Sequence, residues 1–388
     1  LKGDGTKKPI LLAAHADVVG VEREKWTMDP FAGIIKDGYV YGRGAIDFKG
    51  GLAVFTQAVM QITKQQGRHR DVIFMVEADE ESQPYNTGWL AKDHWDLMDC
   101  EFALNEGGWI IKDDKGKVQY ISISTADKSS INLVMTARGT STHSSMPRND
   151  SAIFTLAKAM AKLADYDTAP KLTASTKQFF LTLAKTSPEP LATQFRNLVQ
   201  SNDPKVIRAA DREISKNPLL HAIMRNTIAP TFLNAGLRSN IIPGSAQATI
   251  NFRVVPGTDP RELVSEIKSV VNDPNVDVAL QGAASGAAAN VSVPGGTESP
   301  LNTPLYEAMV RSANATWPGV PVTPYLFQAG TDAGAWRSRG VPVYGIYPYP
   351  ITAEDLTRMH GNDERVPVAS LDQGTDFVLR TLVEMVTR

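Results

Sequence analysis

Short continuous apolar runs alternate with amphipathic stretches in the first part of the chain. Ile10-Leu11-Leu12-Ala13-Ala14 has no polar interruption and reads as a strand buried on both faces. Gly50-Gly51 opens a helix with Phe55, Ala58, Val59 and Ile62 on one face, and Gly67 ends it. Val72 to Val76 reads as a second apolar strand, Trp89 to Trp95 as a helix and Glu101 to Leu104 as a third strand. Strand and helix in alternation predict a largely parallel α/β sheet. Sheets of this kind carry their sites beyond the C-terminal ends of the strands.

The pattern changes after about Thr125. Ser130 to Arg138 reads as a strand and Ser151 to Ala164 as an amphipathic helix. A Lys/Thr/Ser-rich stretch follows, then a helix-like region from Leu191 to Ile214. Ala246 to Val255 alternates as a half-buried strand does, Pro260 to Val271 is helical and Val276 to Leu280 is a strand. This order predicts a small α+β domain with a one-sided sheet and an internal insertion. Gly282 to Gly296 is rich in Gly, Ala and Ser and reads as a linker. The α/β pattern resumes with a helix from Pro304 through Ala315, a strand Val341 to Ile346 and a terminal helix from Ser370. The expected architecture is an α/β domain formed by residues 1–126 and 297–388, interrupted by a smaller α+β domain at 127–296.

Composition narrows the function classes. A length of 388 residues suits two domains. Apolar content of 42% and charged content of 21% are those of a soluble globular chain. A net charge of −2 gives no footprint for nucleic acid or an anionic membrane. No apolar stretch is long enough to span a bilayer. Cys100 is the only cysteine, so an intrachain disulfide is excluded and any metal ligands are N and O donors. The compartment stays open: cytoplasmic, or periplasmic or secreted if an N-terminal signal has been removed.

Against this background the acidic groups stand out. Glu80 and Glu81 are adjacent like charges just beyond an apolar strand, an arrangement that cations stabilise. His15-Ala16-Asp17 follows the first strand, and a carboxylate near a metal-binding imidazole commonly orients it. Asp47 lies among glycines in Gly42-Arg43-Gly44-Ala45-Ile46-Asp47. Its plainer account is a helix N-terminal cap; the sharper one is a carboxylate bridging two cations. Glu106 in Asn105-Glu106-Gly107-Gly108 and His360 in Met359-His360-Gly361 each have a solvated loop as the plain alternative. His69, His94 and His221 carry no assigned role. Each site alone has an ordinary explanation, but together they place two histidines and several carboxylates at one sheet edge. That set suits a pair of zinc ions, with manganese or cobalt as alternatives.

These segments resemble a known family. Ala14-His15-Ala16-Asp17, Gly42 to Asp47, Asp79-Glu80-Glu81, Asn105 to Gly108, Thr142-His143-Ser144-Ser145-Met146-Pro147, Asn240-Ile241-Ile242-Pro243-Gly244 and Gly330-Thr331-Asp332 match, in order, the co-catalytic zinc amidohydrolases and exopeptidases. That family includes aminoacylase, carboxypeptidase G and succinyl-diaminopimelate desuccinylase. The long helical insertion looks most like the carboxypeptidase S branch. The resemblance implies a mostly parallel-sheet zinc-peptidase domain with an inserted lid and dimerisation domain. It implies that Asp47 bridges two Zn2+, with Glu81 and His360 on one and His15 and Glu106 on the other. Glu80 would be the general base for a water between them, and Asp17 would orient His15. His143 would reach into a partner subunit's site in a homodimer joined through the lid. Asn240 and Thr331, and more weakly Arg253, would hold substrate near its carboxylate or scissile carbonyl. The implied substrate is a small peptide or an N-acyl amino acid, cleaved at an amide bond. Glutamate at position 106 leans toward the aminoacylase, desuccinylase and carboxypeptidase S branches. Two other readings are a binding protein for a small carboxylate ligand on the same fold, and dinuclear phosphoester hydrolysis.

Overall fold

A computed structural model describes residues 1–82, 85–282 and 298–387. Its centre is a six-stranded sheet in the order Val322–Phe327, Val118–Asp127, Val343–Ile351, Phe102–Lys112, Ile10–His15, Val72–Glu77. The last four run parallel to one another. Val118–Asp127 and Val322–Phe327 run parallel to each other and opposite to the rest. Ile10–His15 is buried on both faces, as its unbroken apolar run predicts. Ile10, Leu12 and Ala14 join the core under helices Lys49–Ile62, Pro304–Thr316 and Val368–Thr387. Leu11 and Ala13 pack on the other side with Ala103 and Trp336.

A second sheet is four-stranded and antiparallel, ordered Val276–Leu280, Ser129–Arg138, Ser245–Val254, Thr227–Ala235. Its inward residues, among them Leu133, Met135, Ile250 and Phe252, pack on helices Ala152–Ala164 and Pro260–Val271. Ser151 caps the first of these helices and Asp259 the second, where Pro260 occupies the first helical turn without losing a needed N–H. A two-stranded ribbon, Thr142–His143 with Ile241–Ile242, extends from this sheet.

The structure differs from the sequence expectation in three places. The strand expected at Glu101–Leu104 continues through Glu106 to Lys112, and the one expected to end at Ile346 continues to Ile351. Gly107, Gly108, Pro348 and Pro350 argue against strand continuation by local preference. The structure absorbs them as register shifts between the two strands. Close approach requires the glycines: a Cβ on Gly345 would lie 2.0 Å from the Glu106 carbonyl oxygen. Strands Val118–Asp127, Thr227–Ala235 and Val322–Phe327 have no counterpart in the reading of the pattern.

The third difference is the helical segment inside residues 127–296. It forms helices Ala174–Thr186, Leu191–Gln200, Pro204–Ile214 and Pro218–Met224. The Lys/Thr/Ser-rich stretch contributes the first, capped by Thr173. Asp203 and Pro204 break the Leu191–Ile214 region into two. Phe179 packs edge-on against Tyr120 and Tyr325, so these helices share the core of the six-stranded sheet. Of the expected linker Gly282 to Gly296, all but Gly282 lies outside the described residues.

Candidate metal centre

Three strands and two loops bring the candidate ligands together. His15 ends its strand, and Glu106 lies within the neighbouring one. Asp47 precedes helix Lys49–Ile62, whose N-cap is Phe48 with no side-chain cap, so Asp47 does not serve as the cap. Glu81 follows strand Val72–Glu77. His360 sits in a loop with φ 59°, a left-handed conformation that a histidine adopts at a cost of roughly 1–3 kcal/mol.

The geometry divides around Asp47. Its Oδ1 lies 3.2 Å from His15 Nε2 and its Oδ2 lies 3.0 Å from His360 Nε2. His15 Nε2 is also 3.5 Å from Glu106 Oε2, and His360 Nε2 is 3.0 Å from Glu81 Oε1. Thus His15, Asp47 and Glu106 form one cluster of ligand atoms, and Asp47, Glu81 and His360 form another. Asp47 is common to both. The first cluster is buried, while His360 is exposed at the rim.

The electrostatics follow from this crowding. Burial opposes charge on His15, but hydrogen bonds to Asp47 and Glu106 outweigh it and raise the imidazole to about 12. Burial also opposes ionisation of Asp47; its bonds to His15 and His360 win and hold it low. Hydrogen bonds to Asp47 and then Glu81 raise His360 to about 10. Burial raises Glu106 to about 8, with the Asp47 charge adding to it. Converging carboxylate oxygens that hold a proton on each imidazole offer the same field to a divalent cation in the proton's place. Two His and three carboxylates, with one oxygen of Asp47 aimed at each histidine, therefore fit a pair of borderline or hard cations.

The neighbouring side chains fix these groups. His15 Nδ1 lies 3.1 Å from the backbone oxygen of Asp17 and 3.5 Å from its carboxylate. The Asp17 carboxylate instead accepts the backbone N–H groups of Glu80 and Glu81, at 3.3 and 2.9 Å. Asp17 therefore reaches His15 mainly through its carbonyl, and its side chain anchors the Glu80-Glu81 turn. The Tyr347 hydroxyl stands 3.0 Å from Asp47 and 2.8 Å from Glu106. Glu364 is fully buried and accepts from Arg43 and from the backbone N–H groups of Gly44, Ile46 and Asp47. Sequence reasoning missed Tyr347, which hides in an apolar strand, and Glu364, which reads as one more loop acid.

A cavity of about 430 Å³ opens over the clusters, lined by Asp47, Glu80, Glu81, Glu106 and His360. Arg253 and Thr331 also line it. Burial raises Glu80 to about 9, and the Glu106 and Asp332 charges add to that. His143 and Asn240 are not among the lining residues. His143 sits on the ribbon and Asn240 in the turn that leads into it; the exposed His143 pairs in register with Ile241 and contacts Ser145.

The model of Peptidase family M20/M25/M40 matches residues 11–384. The chain belongs to this family. It is thereby placed among metal-dependent peptidases and related hydrolases, and the two clusters of candidate ligand atoms accord with that. A carboxypeptidase S-like protein of Dictyostelium discoideum is 32% identical over 96% of this chain and 71% of its own length. The N-fatty-acyl-amino acid synthase/hydrolase of Homo sapiens is 30% identical over 98% of this chain and 74% of its own. Among solved structures, an M20 family metallo-carboxypeptidase of Sulfolobus solfataricus superposes with a TM-score of 0.67 at 18% identity. That match covers 98% of this chain and 86% of the other and supports the fold.

Proposed function

We propose that this M20-family member is a dinuclear metal-dependent amidohydrolase that releases an amino acid from a peptide C-terminus or from an N-acyl amino acid. The observation that carries this reading is the split of Asp47 between two histidines, in a cavity that Glu80 also lines. His15 and Glu106 would hold one ion, Glu81 and His360 the other, and Asp47 both. Zinc suits the donors, with manganese or cobalt as alternatives. Bound there, such ions supply Lewis acidity and an acidified water.

The remaining chemistry belongs to the chain. Glu80 takes the proton of the attacking water and delivers it to the leaving nitrogen. To do so it must be ionised, and positive charge in the site counteracts the burial that raises it. Asp17 holds the turn so that Glu81 faces the cluster while Glu80 stays free. The Arg253 guanidinium makes no hydrogen bond or ion pair among the described residues, and it lines the cavity. A free cation there suits the carboxylate of the substrate.

Substrate chemistry draws on the relatives. One is named for carboxypeptidase S and another for N-fatty-acyl amino acids, and both names describe bonds to an amino acid nitrogen. We further infer a homodimer through the smaller sheet. Its edge strand Thr227–Ala235 exposes Phe232 and Leu233, which line one groove with the exposed Ile153. An edge unpaired among the described residues, with apolar side chains on it, suits a second copy related by a two-fold axis. His143, outside its own cavity, would then serve the partner's site and stabilise the developing oxyanion.

The test is metal analysis with hydrolysis of a panel of N-acyl amino acids and dipeptides, with and without chelator. Chelator-sensitive turnover is expected. Tight binding of an amino acid without turnover would favour the binding-protein reading, and activity confined to phosphoesters would favour the third.

A further inference from the structure

Thr331 lines the cavity, but its hydroxyl is already engaged. The hydrogen goes to Asp127 Oδ2 at 2.6 Å, and the oxygen accepts the Ala333 N–H at 3.2 Å. A hydroxyl has one hydrogen, so none is left for a substrate carboxylate. Asp127 in turn is buried and engaged through both oxygens. Its Oδ2 pairs with Arg337 Nη1 at 2.7 Å, and its Oδ1 lies 3.1 Å from the Ser124 hydroxyl, whose one hydrogen it shares with the Ala126 carbonyl at 3.0 Å. Arg337 is buried too, and its other nitrogens reach the Val343 carbonyl at 3.0 Å and Ser299 at 3.4 Å. The guanidinium is thereby fixed to the six-stranded sheet.

This arrangement sits where that sheet hands over to the smaller one. Asp127 ends strand Val118–Asp127, and Ser129 begins the next. Lys128 between them donates its N–H to Phe327, just ahead of the 330–332 loop. Arg253 lines the same cavity close to this loop: a Cβ added to Gly330 would come within 3.8 Å of Arg253 Nη1. Movement of the loop would therefore change the space beside the Arg253 guanidinium.

We propose that Asp127 and Arg337 are positioning residues that set the Gly330–Asp332 loop against Arg253, and through it the recognition of the substrate carboxylate. Thr331 acts as the link in this chain through its bond to Asp127. The proposal rests on the reading of Arg253 as the partner of that carboxylate.

The experiment measures kcat/KM for an N-acyl amino acid and for its carboxamide, using the metal-loaded protein. The ratio of the two cancels the folded fraction, so a variant that folds poorly still gives a reading. Wild type should prefer the free carboxylate. Asp127→Asn and Thr331→Val should each reduce that preference on the order of tenfold, as loss of one charge-assisted bond does. The effect should appear mainly in KM, and the double variant should be no worse than the poorer single, because both break one linkage. An unchanged ratio in Asp127→Asn, with both rates lowered equally, would reduce the pair to a fold-stabilising role and overturn the proposal. A loss in Thr331→Val with none in Asp127→Asn would overturn it in favour of direct contact by the hydroxyl. A wild type indifferent to the carboxylate would instead sink the substrate reading beneath it.

Discussion

Glu364 offers the sharpest test of how the centre is held. Its side chain reaches four donors with two oxygens. Oε1 accepts from Ile46 and Asp47 N–H at 2.7 and 3.0 Å, and Oε2 accepts from Arg43 Nη1 and Gly44 N–H at 2.7 and 3.0 Å. Glu364→Gln keeps the shape but turns an amide NH2 toward one of these pairs. Two buried donors then lose their acceptor, and the buried Arg43 charge loses its counter-ion. Breaking a buried pair this way costs ~3–5 kcal/mol. Arg43 keeps weaker support from the His360 carbonyl at 3.3 Å and the Trp26 ring at 5.2 Å, which puts the loss near the lower figure. The same loop orients Asp47, so affinity for zinc should fall by roughly 10–100-fold, as for other groups behind metal ligands. Urea unfolding and zinc titration measure the two effects. The exposed Glu354, paired with Arg358 and Arg365, is the control, and Glu354→Gln should cost about 0–1 kcal/mol. If Glu364→Gln unfolds with the control and binds zinc like the wild type, the loop is not held by this carboxylate and the reasoning fails.

Glu80→Gln should retain both metals while hydrolysis falls by ~10²–10⁴, and substantial retained turnover would remove Glu80 from the proton-transfer role. Glu81→Gln should fail differently, with metal content dropping first in elemental analysis. Chelation should abolish hydrolysis and a divalent metal should restore it; activity that survives metal-free dialysis would contradict a metal-dependent step. Lys128 gives a pH signature. Burial, with Arg253 and Arg225 adding, lowers its ammonium from 10.5 to about 7, while the neutral amine keeps two hydrogens for its bonds to the Ala222 and Arg225 carbonyls. Between those values the unfolded chain binds a proton that the folded chain lacks, so stability relative to Lys128→Met should rise from about pH 7 to 10.5. A flat difference in urea unfolding across that range would refute the assignment. Phe232→Asp should yield monomer in sedimentation; a dimer that persists would place the interface elsewhere.

What was legible in the sequence had a local signal. Ile10–Ala14 read as a doubly buried strand because no polar residue interrupts it, and Pro260–Val271 read as a helix because a cap and a proline mark its start. The metal-ligand candidates were legible as charges set at strand ends and glycine turns. Strand continuation through Gly107 and Pro348 was not, because tertiary pairing overrides what those residues prefer alone. Nor were the supports of the site. Tyr347, Asp127 and Glu364 act over 200 or more residues of separation, and their partners appear only once the sheet brings them together. Asp17 shows why the distinction matters. Spacing suggested a carboxylate behind His15, yet the imidazole takes the Asp17 carbonyl and leaves the carboxylate for Glu80 and Glu81. One aspartate thus fixes a histidine through its backbone and an acidic turn through its side chain. Asp17→Asn would keep the carbonyl and weaken only the turn. The His15 cluster should then bind metal nearly as before, while the geometry at Glu80 and Glu81 loosens. Equal loss at both metal positions would show that the carboxylate, not the carbonyl, carries the link to His15.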